Sequence, residues 1–136
     1  LGYLGVDNSP EQIALARGAR HGGGARFELA EMFAFMQTVD AGSLTSIAAM
    51  CSLQHLPRSS HRHLLALMVA ALEPDGGLLL VALGTEAVDR WDDAFFGARM
   101  LFSQHDPAWY TAVLAELGLA MVESEVVNVS FRGDDQ

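Results

Sequence analysis

The chain has no lysine. Its 8 basic residues are all arginine, and against 17 acids they leave a formal net charge of −9. A phosphate-rich partner requires a basic face, and no stretch supplies one, so neither nucleic acid nor an anionic membrane surface is expected as a partner. Cysteine is nearly absent. Cys51 stands alone, which rules out an internal disulfide and points to a reducing, cytoplasmic setting. Long apolar runs are missing too: "LLALMVAAL" (64–72) and "LLLVAL" (78–83) fall far short of the ~20 residues a membrane helix needs. The first residues do not read as a secretory signal, and neither repeats nor low-complexity tracts stand out.

What is present reads as one folded domain over residues 1–136. At 51% apolar residues the composition suits a packed core, and strands alternate with helices. "YLGVD" (3–7) is a short strand. Ser9 caps the helix that follows, Pro10 suits its first position and Gln12 completes a capping-box spacing. That helix runs to about Arg20 and ends at "GGG" (22–24). "ARFEL" (25–29) is the next strand. An irregular stretch then leads to "LTSIAAMCS" (44–52), a nearly continuous apolar run expected to be buried on both faces.

After "LPRSS", a helical stripe of His61, Leu64, Leu65, Met68 and Leu72 predicts a helix, closed by the turn Glu73–Gly77. "LLLVALG" (78–84) is another buried strand. Asp106-Pro107 repeats the cap-then-proline signal ahead of a helix through Tyr110, Val113, Leu114 and Leu117. "LAMVESEVVNVSFRG" (119–133) has the pattern of two strands. Such alternation implies a mostly parallel sheet covered on both sides, with ligands bound beyond the carboxyl ends of its strands. Asp7 lies at that edge. Two readings stand for it: it receives a ligand's hydroxyls, or it caps the helix behind it.

The order of "GVDNSPEQIALAR" (5–17), "FELAEM" (27–32), "SLTSIAAMCSLQHLP" (43–57) and "LEPDGGLLLVALG" (72–84) resembles the class I S-adenosylmethionine-dependent methyltransferases. "WDDAFFGARMLFSQHDPAWYTAVLAELGL" (91–119) is similar to the segment that small-molecule members place over their substrate. The resemblance implies an α/β, Rossmann-like methyltransferase sheet, mostly parallel with a C-terminal antiparallel strand. It implies S-adenosyl-L-methionine as cofactor. Asp7, with Asn8 beside it, takes the position that holds the ribose hydroxyls, which suits a carboxylate able to accept from both. Glu31 takes the place of an aspartate that meets the adenine amino group, and is one methylene longer. Met32 would pack on the adenine face or simply fill the core, and Met50 would line the site after the fourth strand of the family.

Catalytic groups are harder to assign. His55, in the "HLP" turn, would serve as a base, orient a substrate, or close the turn structurally. Relatives often carry histidine where this chain has Gln104; His105 follows one place later and would substitute only with a backbone shift. Thr45 likewise stands where relatives usually carry aspartate. Cys51 reads as a small apolar residue, since nothing near it in sequence suggests a base. His61 and His63, two apart, do not share a helix face and suggest no metal; both read as surface or helix-start residues. Trp91, Phe95, Phe96, Met100 and Phe102 either pack on the sheet or wall a substrate pocket. The Asn/Asp-Pro-Pro-aromatic signature of base-modifying relatives is absent after the "LTSIAAMCS" strand, so a small-molecule substrate is expected.

The family's first strand and glycine-rich turn would precede residue 1, so the resemblance suggests a sheet truncated at its N-terminus. That strand lies between the second and fourth, and its loss leaves a gap of roughly 9–10 Å, which no backbone hydrogen bond crosses. Three outcomes follow: a fragment, direct closure of the two strands, or a homodimer in which a second copy supplies an edge. Methyl transfer by residues 1–136 alone is not expected. Two other readings stay open, a nicotinamide-binding Rossmann domain and a non-catalytic module that pairs with a partner.

Overall fold

A computed structural model describes residues 2–128. The elements follow in the order β1 (Tyr3–Asp7), α1 (Pro10–Gly18), β2 (Ala25–Leu29), α2 (Met32–Met36), β3 (Ser46–Met50), α3 (His61–Ala71), β4 (Leu78–Ala82), β5 (Val88–Phe95), β6 (Ala98–Gln104) and α4 (Pro107–Glu116). Short 3-10 turns at Leu53–His55 and Arg58–Ser60 lead into α3. The chain forms two compact units. The first comprises residues up to Ala48 with His63–Leu80, and the second Ala49–Arg62 with the chain from Val81 onward.

In the first unit β1 and β2 pair in parallel, with Gly5 opposite Phe27. A Cβ on Gly5 would sit 2.7 Å from the Phe27 ring, so glycine is what lets the ring lie across the strand. Ser9 is the N-cap of α1, its hydroxyl accepting from the Gln12 N–H at 3.3 Å, and Pro10 follows it. Gln12 does not return the bond: the Ser9 N–H donates to Asp7 Oδ1 at 2.8 Å, and the Ser9 hydroxyl donates to the Glu11 carboxylate at 3.0 Å. Ile13, Met36, Leu64, Leu65, Met68, Ala71 and Leu72 are the buried apolar residues of this unit. The stripe read from the sequence of α3 is therefore its core face.

β3 lies beside β4. The bonds from Leu78 N to Thr45 O and from Cys51 N to Ala82 O advance along both strands in the same sense, as in parallel pairing. Neither strand is buried on both faces as its composition suggests. Only Ala49 of β3 is buried, and Met50, Leu78 and Leu80 are more than half exposed. The physical reason is the ladder count: β1 pairs with β2 and β3 with β4, and among the described residues no ladder joins the two pairs. Among the described residues the strands are not closed directly into one sheet, one of the three expected outcomes.

The second unit is built on a hairpin that the sequence does not announce. β5 and β6 pair antiparallel from Val88↔Gln104 to Phe95↔Ala98, with an irregularity between Asp92 and Phe95. Phe96 and Gly97 form its two-residue loop, both at positive φ (48° and 78°). Among the described residues this is the antiparallel pair. Residues 119–128, expected to carry strand, have no regular structure, and the rest of that stretch lies outside the described residues. Leu53, Tyr110 and Val113 are buried in this unit. Asp106 caps α4 by accepting from the Trp109 N–H at 2.9 Å, and Gly118 at φ 93° ends it.

Candidate functional site

Asp7 closes β1 and is exposed, so its charge carries none of the cost that burial would impose. Its Oδ1 accepts from the Ser9 N–H at 2.8 Å, which braces the turn into α1; the cap itself is Ser9. No protein group is bonded to Oδ2 among the described residues. One carboxylate oxygen thus holds the loop and the other is open to solvent, an arrangement that suits hydroxyl donors. Asn8 is exposed beside it.

Glu31 has a structural role of its own. It is the N-cap of α2, with Oε1 accepting from Phe33 N at 2.9 Å and Oε2 from Ala34 N at 2.8 Å. Both oxygens already serve the helix end, and only their remaining lone pairs are free for an adenine amino group. Met32, the first residue of α2, is half-buried.

In the second unit Met50 ends β3 and is exposed, and Cys51 follows at φ 50°. A side chain in the left-handed region is uncommon outside turns, and here it reverses the chain sharply after the strand. His55 ends the next 3-10 turn. Its Nδ1 lies 2.9 Å from the Leu101 carbonyl and its ring stands edge-on to Phe102 at 5.2 Å. A carbonyl only accepts, so Nδ1 carries the proton and Nε2 presents its lone pair.

His105 is committed elsewhere. Nε2 contacts the Arg58 carbonyl at 3.3 Å and the ring stacks on Trp109 at 3.8 Å. His61 starts α3, as expected, but is not on the surface. It is fully buried, bonded through Nε2 to the Leu56 carbonyl (3.0 Å) and through Nδ1 to the Tyr110 hydroxyl (2.7 Å). Burial pushes the His61 imidazole below its ordinary value and the Tyr110 phenol above its own. Both groups are therefore neutral and structural. His63 is exposed, with its ring against Phe33.

The aromatic segment divides between the two faces of the hairpin. Arg99 covers Trp91 at 4.5 Å, while Phe95 packs on Phe102 at 5.0 Å. An open hollow of about 280 Å³ lies against Phe102, Gln104, Val88 and Arg90, rimmed by the loop Gly84–Glu86. Gln104 is buried and pins that rim: its Oε1 accepts from Gly84 N (3.2 Å) and its Nε2 donates to the Glu86 carbonyl (2.6 Å). Gln104, at the position where the resemblance implies histidine, thus holds a loop in place. Phe102 is among the aromatics expected to pack on the sheet or wall a pocket; Val88 and Arg90 were not singled out, because they join it through cross-strand register.

No protein-family model matches the chain, and none of the curated proteins matches it significantly. Solved structures do. A SAM-dependent methyltransferase from Methanosarcina mazei superposes with a TM-score of 0.64 at 14% identity, over 84% of this chain and 67% of that one. A complex of DhpI with SAH superposes with a TM-score of 0.58 at 21% identity, over 86% of this chain and 56% of the other. The chain therefore has the fold of the class I S-adenosylmethionine-dependent methyltransferases. It spans roughly half to two thirds of these structures' lengths.

Proposed function

We propose that this chain is the methyltransferase-like part of an enzyme that moves a methyl group from S-adenosylmethionine to a small molecule. The observation that carries the reading is Asp7, at the carboxyl end of a parallel strand, with one oxygen bracing the turn and the other free. The donor set fits a ribose diol: a carboxylate accepts from two adjacent hydroxyls, and Asn8 adds an amide beside it. Met32 supplies an apolar surface for a purine, and Met50 lies at the end of β3. When bound, the cofactor supplies a methyl group made electrophilic by the sulfonium sulfur. Aligning the nucleophile is then most of the catalytic task. His55 is the group suited to take a proton at Nε2, because the Leu101 carbonyl keeps the ring's proton on Nδ1.

That no ladder joins β1 to β3 among the described residues supports the further expectation that residues 1–136 alone do not transfer methyl. The test is calorimetric titration of S-adenosylhomocysteine into residues 1–136 and into the longest form that the coding sequence specifies. The reading expects binding by the longest form, weakened about tenfold by Asp7→Asn, which keeps the turn but loses the charge-assisted bonds. No binding by either form turns the search to a partner-binding module.

A further inference from the structure

We infer that Arg90 anchors the carboxylate of a small molecule seated in the hollow of the β5–β6 hairpin. This deepens the methyltransferase reading and rests on it for the ligand's role as methyl acceptor; the binding step itself does not.

Four arginines of the second unit are described. Arg58 lies 3.6 Å from Asp89, Arg62 2.6 Å from Glu116 and Arg99 3.0 Å from Asp93. Among the described residues Arg90 has no such partner, in a chain whose acids outnumber its bases 17 to 8. It is also the basic residue that lines the hollow. The hairpin register explains why. Arg90 is the direct partner of Phe102, and Val88 of Gln104, so these four side chains share one face of the pleat. Asp89, Trp91, Leu101 and Ser103 alternate onto the other, where the Ser103 hydroxyl donates to Asp89 Oδ1 at 2.8 Å and accepts from Arg58 N at 2.8 Å. The pleat thus separates Arg90 from the carboxylate next to it in sequence.

The remaining features select the ligand. The Phe102 ring gives the hollow an apolar wall and carries His55 against it at 5.2 Å. The Gln104 bonds hold the rim so that Arg90 meets a preformed edge. One guanidinium presents two parallel N–H groups, matched to a carboxylate. With Glu86 on the same rim, a second negative charge on the ligand is disfavoured. A monoanionic carboxylate with a short apolar body fits this set better than a phosphate dianion, and a volume of about 280 Å³, just under the ~300 Å³ at which ligand cavities begin, limits the body to a few carbons.

The experiment is a nuclear magnetic resonance titration of the chain with sodium propionate, following the Arg90 Nε–Hε and the Gly84 and Thr85 amide signals. Inorganic phosphate and chloride at matched ionic strength are run in parallel. Saturable shifts with propionate are expected, weakened about tenfold by Arg90→Gln and less by Arg90→Lys, which keeps the charge without the fork. Shifts equal to those from chloride, a response to phosphate alone, or unchanged binding in Arg90→Gln would overturn the inference. S-Adenosylhomocysteine is titrated separately, into the longest form, on the Asp7 and Ser9 signals. Propionate binding without a response there overturns the methyl-acceptor role and leaves the carboxylate site. A response there without propionate binding overturns this inference alone.

Discussion

The Tyr110 hydroxyl donates to Nδ1 of His61 at 2.7 Å, and both side chains are buried. The same hydroxyl accepts from the His105 backbone N–H at 3.2 Å, while Nε2 of His61 donates to the Leu56 carbonyl. Every polar atom of the pair has a partner, provided His61 is neutral. Protonating Nδ1 would turn it into a donor facing a hydroxyl that is itself donating.

Stability should therefore depend on pH through His61. Its folded pKa lies below the unfolded value of about 6.5, so the unfolded chain binds more protons in that window. The contribution is complete above pH ~6.5 and is lost as the pH falls below it. Urea midpoints measured between pH 5 and 8 should decline on the acid side, and His61→Gln should flatten the slope. Tyr110→Phe should cost about 1–3 kcal/mol at neutral pH, since it strands His61 Nδ1 and the His105 N–H.

His55 and His61 should show opposite tautomers. The Leu101 carbonyl requires the proton of His55 on Nδ1, and the Leu56 carbonyl requires that of His61 on Nε2. Imidazole nitrogen shifts at pH 8 distinguish the two directly. An Nε2–H tautomer at His55 would remove it as a proton acceptor through that atom.

Phe96 sits at φ 48° in a two-residue hairpin loop and is 81% exposed. Both loop positions need positive φ, which Asn-Gly adopts with less strain than Phe-Gly. Phe96→Asn relieves about 1 kcal/mol of backbone strain but loses the edge-on contact with Phe95 (4.7 Å). Its thermal midpoint should therefore exceed that of Phe96→Ala, which loses the same contact and keeps the strain, with an unchanged far-ultraviolet spectrum.

Gln104 joins Gly84 to Glu86 from a buried position. Gln104→Ala should destabilise the chain by about 2 kcal/mol, because a backbone donor and a backbone acceptor lose their partner. Faster amide hydrogen exchange at Gly84 would report the released rim.

The elements legible from the sequence are those whose signals lie within a turn of the chain. The edges of β1 and β2 match their apolar runs, and Ser9-Pro10 and Asp106-Pro107 start α1 and α4 as capping requires. Asp7 was legible for the same reason: an acid between an apolar run and a capped helix has one place to be. The stripe on α3 gave the core face, yet His61 was read as exposed, because the partner that makes its burial tolerable is 49 positions away.

Pairing was decided only by the tertiary structure. Periodicity identifies a strand but not its neighbour, so the apolar composition of β3 and β4 said nothing of the exposure of Met50, Leu78 and Leu80. The hairpin of β5 and β6 hid behind an aromatic-rich, charged sequence, since its register rests on cross-strand contacts and on a loop with an unfavoured residue. Short-range rules of capping and alternation determined where elements begin. Which side chains meet, and so which charges find a partner, depended on contacts between residues far apart in the chain.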